Sequence, residues 1–467
     1  MKKYTWLLAG ALLFAACEPE IDFEAPSAGA QLDLSRYVAY GNSLTAGFAD
    51  GGLYNAGIEA SFPNLLAQQF EEVGGGETFE QPLFNAGEEN GSGYLSLTGF
   101  TATGAPQLTP VASGLAAIGL GADSSTVRLR RYTAQGPTVQ NLGVPGIKVR
   151  DVATNGYGFN NPQGFNPFFE RLLPDALPGA GASYVQVAAG SQATFFTSWL
   201  GNNDVLGYAG AGGDTAVDRL TDVATFRTLY GQMLDVITAN GVEGVLGNIP
   251  DVASAAYFTT VPFNAVVLDQ AQAGALNAAY ADFNAGVDQA NQQLPSAVQR
   301  PKISFQVGPN AIVIEDETLF DVPNLPKFRQ ATADDLILLP ASAALPGGVG
   351  TASAAPDNLV LIPSEQEEIR AHTQALNAEI AALATARGLA LFDVNAFLTQ
   401  RVNGAVSDAR TYSGAFITGG IFSLDGIHLT PFGNALVANG FIAAINAHYG
   451  ANVPRVITSE YEGVRLP

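Results

Sequence analysis

The chain predicts an α/β protein, a three-layer α/β/α sandwich about a mainly parallel sheet, and three observations carry that expectation. Short apolar runs of strand length alternate with longer runs at helical spacing. Residues able to do chemistry stand just past the ends of two of the short runs, where open parallel sheets hold their ligands. The remaining chemistry sits almost a chain length away, so the two ends must meet in one site.

The elements are read in chain order. Residues 34–40 are largely apolar, interrupted by Arg36 and bounded by Gly41, and predict a buried strand that delivers Ser43. Residues 194–200 predict a second strand, which delivers Asn203, and 244–249 and 389–394 predict two more. Leu276, Tyr280, Phe283, Val287 and Leu294 fall on one helical face. Ser364 and Glu367, after Pro363, form a capping box for a helix carrying Ile369, His372, Leu376, Ile380 and Leu383, and Gly388 stops it. Thr430 and Pro431 start a last helix with Val437, Phe441 and Ala444 on one face.

Length alone, at ~150 residues per domain, suggests two or three domains. Because Ser43 and His428 must meet, 34–467 reads instead as a single domain with insertions near 79–135 and 252–363. Residues 340–356, rich in Ala, Pro and Gly, predict a mobile loop. Tyr257, Phe258 and Phe263 follow the strand end at Asp251 and read equally as acyl-pocket lining or as core.

Gly41-Asn42-Ser43-Leu44 offers a hydroxyl, and Asp425-Gly426-Ile427-His428 offers a base and an acid from one short loop. Serine is a poor nucleophile at neutral pH until a base takes its proton and an acid fixes that base's tautomer. Taken singly, each motif also reads as a turn or a helix cap. Asn141-Leu142-Gly143-Val144-Pro145-Gly146 and Gly201-Asn202-Asn203-Asp204 add a glycine amide and an asparagine side chain, the donors that a tetrahedral oxyanion needs.

With these blocks in this order the chain resembles the SGNH hydrolases, the GDSL-type lipases and esterases. The resemblance implies a flavodoxin-like layout and a serine esterase or lipase, with Ser43 as nucleophile, His428 as base and Asp425 as orienting acid. It also implies an oxyanion hole of the Ser43 amide, the Gly143 amide and the Asn203 side chain. Two features depart from the family pattern: Asn42 stands where Asp is usual, and the stretch from Asp204 to Asp425 is longer than a minimal member needs. The substrate classes implied are a lipid or short acyl ester first and an O-acetylated glycan second. A non-catalytic surface lipoprotein binding a glycan or a partner is the reading from another class.

His372 and His448 lie on apolar helix tracks and read as structural, and Asp204 and Asp251 as turn or cap carboxylates. Three scattered histidines and no paired cysteines offer no zinc set, and no phosphate loop is present, so neither metal nor cofactor is expected. With 43 acidic against 21 basic residues the formal charge is −22, which disfavours nucleic acid and suits a solubilising surface or a salt-rich habitat. At the start, Lys2 and Lys3 precede an apolar run to Ala16 and then Cys17, the sole cysteine. This resembles a bacterial lipoprotein signal peptide, 1–16, with Cys17 as the lipidated first mature residue and 17–33 as an acidic tether. The expected location is exported and lipid-anchored to the cell envelope, at the outer membrane and with acidic residues after Cys17 that resemble a surface-export signal.

Overall fold

The computed structural model of the protein describes residues 25–30, 32–102, 104–132, 139–173 and 181–467. The signal segment, Cys17 and Glu18, Glu20, Asp22 and Glu24 of the tether lie outside the described residues. Where the tether ends, Ser27 makes an antiparallel bridge to Asn452, so its last residues are docked on the domain.

Five strands form one all-parallel sheet: β1 (Tyr37–Gly41), β2 (Asn141–Gly143), β3 (Phe195–Trp199), β4 (Glu243–Gly247) and β5 (Ala390–Phe392). Their order is β5-β4-β3-β1-β2. The chain leaves β1 for β2 on one side and returns to β3 on the other, so the order reverses beside β1, the position at which such sheets open a crevice. Gly41 registers with Gly143 on one side and with Trp199 on the other, which aligns the carboxyl ends of the three strands. All residues of β1, β2 and β3 are buried, and their few polar side chains find partners. Tyr37 Oη lies 2.8 Å from Thr197 Oγ1, and Ser198 Oγ lies 2.9 Å from Tyr230 Oη.

The first strand starts at Tyr37 rather than Leu34, because the Asp33 carboxylate accepts the Ser35 N–H at 2.9 Å and closes a turn there. Of the other three expected strands, 194–200 and 389–394 are trimmed at both ends, and the one expected over 244–249 runs from Glu243 to Gly247. The sequence reading missed β2, a three-residue strand that opens on Asn141 and is too short for a periodic signal.

Helices α1 (Ser43–Ala46), α2 (Phe62–Glu71), α3 (Asn202–Gly210), α4 (Val223–Ile237), α5 (Pro363–Arg387) and α6 (Pro431–Tyr449) complete the frame. They pack in two groups: α2 against α6, and α4 and α3 against α5. Phe62 of α2 stacks on Phe441 of α6 with ring centroids 4.8 Å apart, and the edge of Trp199 from β3 closes on the same ring. Helix α6 starts as expected, with the Thr430 hydroxyl accepting the Gly433 N–H at 3.0 Å, but it is buried on most sides rather than on one face. The capping box expected of Ser364 and Glu367 does not form: the N-cap is Ile362, whose side chain can accept nothing, Glu365 accepts the Ile362 N–H at 2.8 Å, and Glu367 pairs with Arg370 on the surface. Gly388, at φ +68°, ends the helix as expected.

The helix expected over Leu276–Leu294 is two, Gln270–Ala279 and Ala281–Asn291, breaking at Tyr280, whose hydroxyl donates to the Thr351 carbonyl at 2.8 Å. The first insertion forms two hairpins, Tyr94–Phe100 with Pro106–Val111 and Ala117–Leu120 with Val127–Leu129. The second builds a small core of its own around Ile312, Ile314, Ile337 and Val360. Residues 340–356, expected to be a mobile loop, contribute fully buried Ala341 and Ala355 to that core. Phe258 is core, Phe263 packs against the insertion's core, and half-buried Tyr257 does the same against the main one. Among the described residues no helix is long and apolar enough to cross a membrane.

Candidate active site

The turn from β1 into α1 delivers Ser43. Asn42 caps α1 by accepting the Leu44 N–H on Oδ1 at 3.0 Å, so the residue that replaces the usual Asp keeps the capping bond. Its Nδ2 is buried without a partner among the described residues. The loop 423–430 enters from the opposite end of the chain, and Gly426 at φ +75° lets it turn back between Asp425 and His428. A side chain at Gly426 would also meet the backbone nitrogen of Tyr257 at 2.8 Å, and that N–H instead donates to the Gly426 carbonyl.

This loop brings the three expected side chains into one line. His428 Nε2 lies 2.8 Å from Ser43 Oγ, and His428 Nδ1 lies 2.9 Å from Asp425 Oδ2. Ser43 is 6% exposed, and the His428 and Asp425 side chains are 13% and 15% exposed, so the relay is sheltered but reachable. Burial pushes the Asp425 carboxyl up, but the facing His428 imidazole and bonds from the His428 and Ile427 N–H groups outweigh it and hold the carboxyl well below the usual range. An ionised carboxylate only accepts, so His428 carries its proton on Nδ1 and turns a bare Nε2 to the Ser43 hydroxyl.

A set of residues absent from the sequence reading holds the acid. Asp425 accepts the Gly51 N–H at 2.8 Å, and the Ser423 hydroxyl donates to it at 3.2 Å. Asp50, at φ +53°, donates its N–H to Ser423 Oγ, accepts the Leu424 N–H at 2.9 Å and accepts the Tyr54 hydroxyl at 2.7 Å. Burial raises the Asp50 carboxyl. The Phe48 ring lies 4.7 Å from the His428 imidazole, centroid to centroid, and limits its rotation. No spacing rule links residues 48–54 to 423–428. Only the loop contacts reveal them.

The donors gather at the carboxyl ends of β2 and β3. The Ser43 N–H, first in α1, has no partner among the described residues, as expected at a helix start. Asn203 Nδ2 donates one hydrogen to the Ile147 carbonyl at 2.9 Å, which sets the side chain beside the loop after β2 and leaves its second hydrogen unused. Gly143 is different from the expectation. Its N–H donates to Asn141 Oδ1 at 3.1 Å, and a Cβ there would lie 2.2 Å from the Ala46 nitrogen, so its role is close packing of β2 on α1. Gly146, three residues on, is exposed at φ +82° with an N–H that has no partner among the described residues, and is the glycine able to donate.

Asp204 is not a turn or cap carboxylate. It is fully buried in the first turn of α3 and accepts the Val149 N–H at 2.8 Å, tying the 146–149 loop to the helix that carries Asn203. Burial raises its carboxyl to about 6. Asp251 precedes a short 3-10 turn without capping it. His372 and His448 are remote from the triad, bonded to the Thr221 and Gly388 carbonyls at 2.8 and 2.9 Å. Glu317, Asp357 and Glu365 bring one oxygen each within 4.8 Å of one another, also away from the triad. No protein-family model matches the chain, and no curated protein matches it either.

Proposed function

We propose that the protein is a serine esterase or lipase of the SGNH type, built as a three-layer, flavodoxin-like sandwich. The observation that carries this reading is the continuous relay from Ser43 through His428 to Asp425, with contacts of 2.8 and 2.9 Å. The two groups of helices, one on α5 and one on α6, support the layered layout. Ser43 Oγ attacks the ester carbonyl as His428 Nε2 takes its proton, and the carbonyl electrons move onto oxygen beside the Ser43, Gly146 and Asn203 N–H donors. Collapse breaks the ester C–O bond, His428 returns the proton to the leaving alcohol, and Ser43 keeps the acyl group. Water repeats the sequence and frees the acid.

The deciding experiment compares the wild type with Ser43→Ala and His428→Ala on p-nitrophenyl acetate, acetylated xylan and a lipid ester. Each variant should lower kcat by roughly 10³-fold or more, the double variant little further, because the pair acts as a unit. Fluorophosphonate labelling should vanish with Ser43→Ala. Persistent labelling would assign the nucleophile elsewhere.

We also propose export and anchoring through a lipid on Cys17, on the strength of Lys2, Lys3 and the apolar run before it. Several acyl chains at ~0.8 kcal/mol per buried methylene hold stably where one does not. Cys17→Ser should release a soluble, active enzyme, and mass spectrometry showing an unmodified mature start at another residue would refute the anchor.

A further inference from the structure

The loop that carries the Gly146 N–H starts beside the nucleophile, where the Val144 N–H donates to the Gly41 carbonyl at 2.9 Å. Its first turn is closed by the Ile147 N–H on the Val144 carbonyl at 3.2 Å, with Pro145 second and Gly146 third at φ +82°. Proline in the second place and a positive φ in the third make this a type II turn. The type I alternative keeps the proline angle but turns the central peptide over, which would send the Gly146 N–H to the other side. Glycine adopts either sign of φ at little cost, so the turn by itself does not hold the donor in place.

Asn166 supplies the missing constraint. Its Oδ1 accepts the Phe168 and Phe169 N–H groups, both at 2.9 Å, and so caps the short helix Pro167–Glu170. Those two donors fix which end of the amide is oxygen, and its Nδ2 donates to the Pro145 carbonyl at 2.8 Å and to Tyr157 Oη at 3.1 Å. Pro145 is buried, and among the described residues no other group donates to its carbonyl. In a planar trans peptide the C=O and N–H point in opposite directions, so the bond that fixes the Pro145 carbonyl also points the Gly146 N–H away from Asn166. Turning that peptide over would strand a buried carbonyl and an amide hydrogen. Further along, α3 holds the loop through Asn203 on the Ile147 carbonyl and Asp204 on the Val149 N–H, which leaves the end bearing the donor to Asn166. The same short helix lies near the triad, since the Phe168 ring sits 5.9 Å from Phe48, which faces His428.

We propose that Asn166 is a positioning residue of the oxyanion hole: it locks the Pro145–Gly146 peptide in the orientation that offers the Gly146 N–H to the developing oxyanion. The inference rests on the esterase reading above. Its test is Asn166→Asp in steady-state hydrolysis of p-nitrophenyl acetate, with the melting temperature measured alongside. A carboxylate caps the short helix as well as the amide does, but it sets an oxygen against the Pro145 carbonyl where a donor stood. The kcat should fall about 10²-fold with KM and melting temperature little changed, since one oxyanion donor is worth on the order of 10²–10³ in kcat. A Cβ at Gly146 would meet nothing nearer than Asn166 Nδ2 at 3.7 Å, so Gly146→Ala opposes the positive φ without a clash and should lose a similar factor. The two substitutions together should lose little more than either, because both act on one peptide. A side chain that only supported the fold would instead lower the melting temperature and multiply its loss with that of Gly146→Ala. A folded Asn166→Asp with kcat within about 3-fold of wild type, or losses that multiply in the double variant, overturns the proposal. Should Asn166→Asp not fold, Asn166→Ser, which keeps a capping oxygen but ends one bond short of the amide nitrogen, faces the same expectations and the same refutation. If the wild type cleaves no ester, the esterase reading fails and this inference with it. If it cleaves esters and the Asn166 variant keeps its kcat, only this inference fails.

Discussion

Replacing Asp425 with Asn tests the relay through the bonds that the carboxylate accepts. Oδ1 takes the Ile427 and His428 N–H groups at 2.9 and 2.8 Å, and Oδ2 takes the Gly51 N–H at 2.8 Å together with His428 Nδ1. An amide must turn its NH₂ toward one of these pairs. Facing Ile427 and His428 strands two backbone donors, each at about 1–3 kcal/mol, whereas facing Gly51 strands one. The cheaper orientation puts NH₂ against His428 Nδ1, which must then accept, so the imidazole proton moves to Nε2. That nitrogen then points a hydrogen at Ser43 and cannot take another. Asp425→Asn should therefore lower kcat by ~10⁴-fold, as a wrong tautomer does in a serine triad, and cost about 1–3 kcal/mol of stability. Steady-state hydrolysis of p-nitrophenyl acetate and chemical denaturation measure the two effects. A folded variant within 10-fold of wild-type kcat would refute the assigned tautomer and with it the role of Asp425.

Asn203→Ala should cost on the order of 10²–10³ in kcat with little change in KM, because its free N–H meets the oxyanion mainly in the transition state, and a change in KM alone would reassign it to substrate binding. Ser423→Ala removes the acceptor of the Asp50 N–H and a donor to Asp425, so kcat should fall about 10-fold at unchanged KM, and an unaffected kcat would show that the loop holds without it. Melting temperature should fall from pH 5 to pH 8. Burial and the neighbouring carboxylates raise Glu365 to about 8 and Asp357 to about 6, so the favourable neutral forms persist at low pH and their stability is lost as pH rises through those values. Glu365→Gln keeps the bond to the Ile362 N–H and should flatten that decline, and an identical decline in the variant would remove Glu365 as its source.

What the sequence could disclose depended on whether a side chain's identity alone fixes its role. The contact of Ser43, His428 and Asp425 was legible because only a few residue types suit a proposed nucleophile, base and acid, and their mutual geometry follows from the strand end and one glycine turn. Thr430, Pro431 and Gly388 were legible because caps act within three or four residues. Which glycine keeps a free N–H was not, since Gly143 and Gly146 share a motif, and only the fold shows that the Gly143 N–H is spent on Asn141 while that of Gly146 has no partner among the described residues. The carboxylate at the start of α5 slipped by two residues for a related reason: Glu365 and Glu367 both suit a first turn, and the choice falls to which one reaches the Ile362 N–H. The break at Tyr280 and the packing of 340–356 answer to each other, through the Tyr280 hydroxyl and the Thr351 carbonyl, so neither could be read from its own composition. Asp50 and Ser423 lie further still from any local rule. Their contacts join the loop after the nucleophile to the loop before the base, so the acid is positioned by the same two segments whose meeting makes the triad. A perturbation of either loop should therefore reach the Asp425–His428 bond before it reaches the sheet.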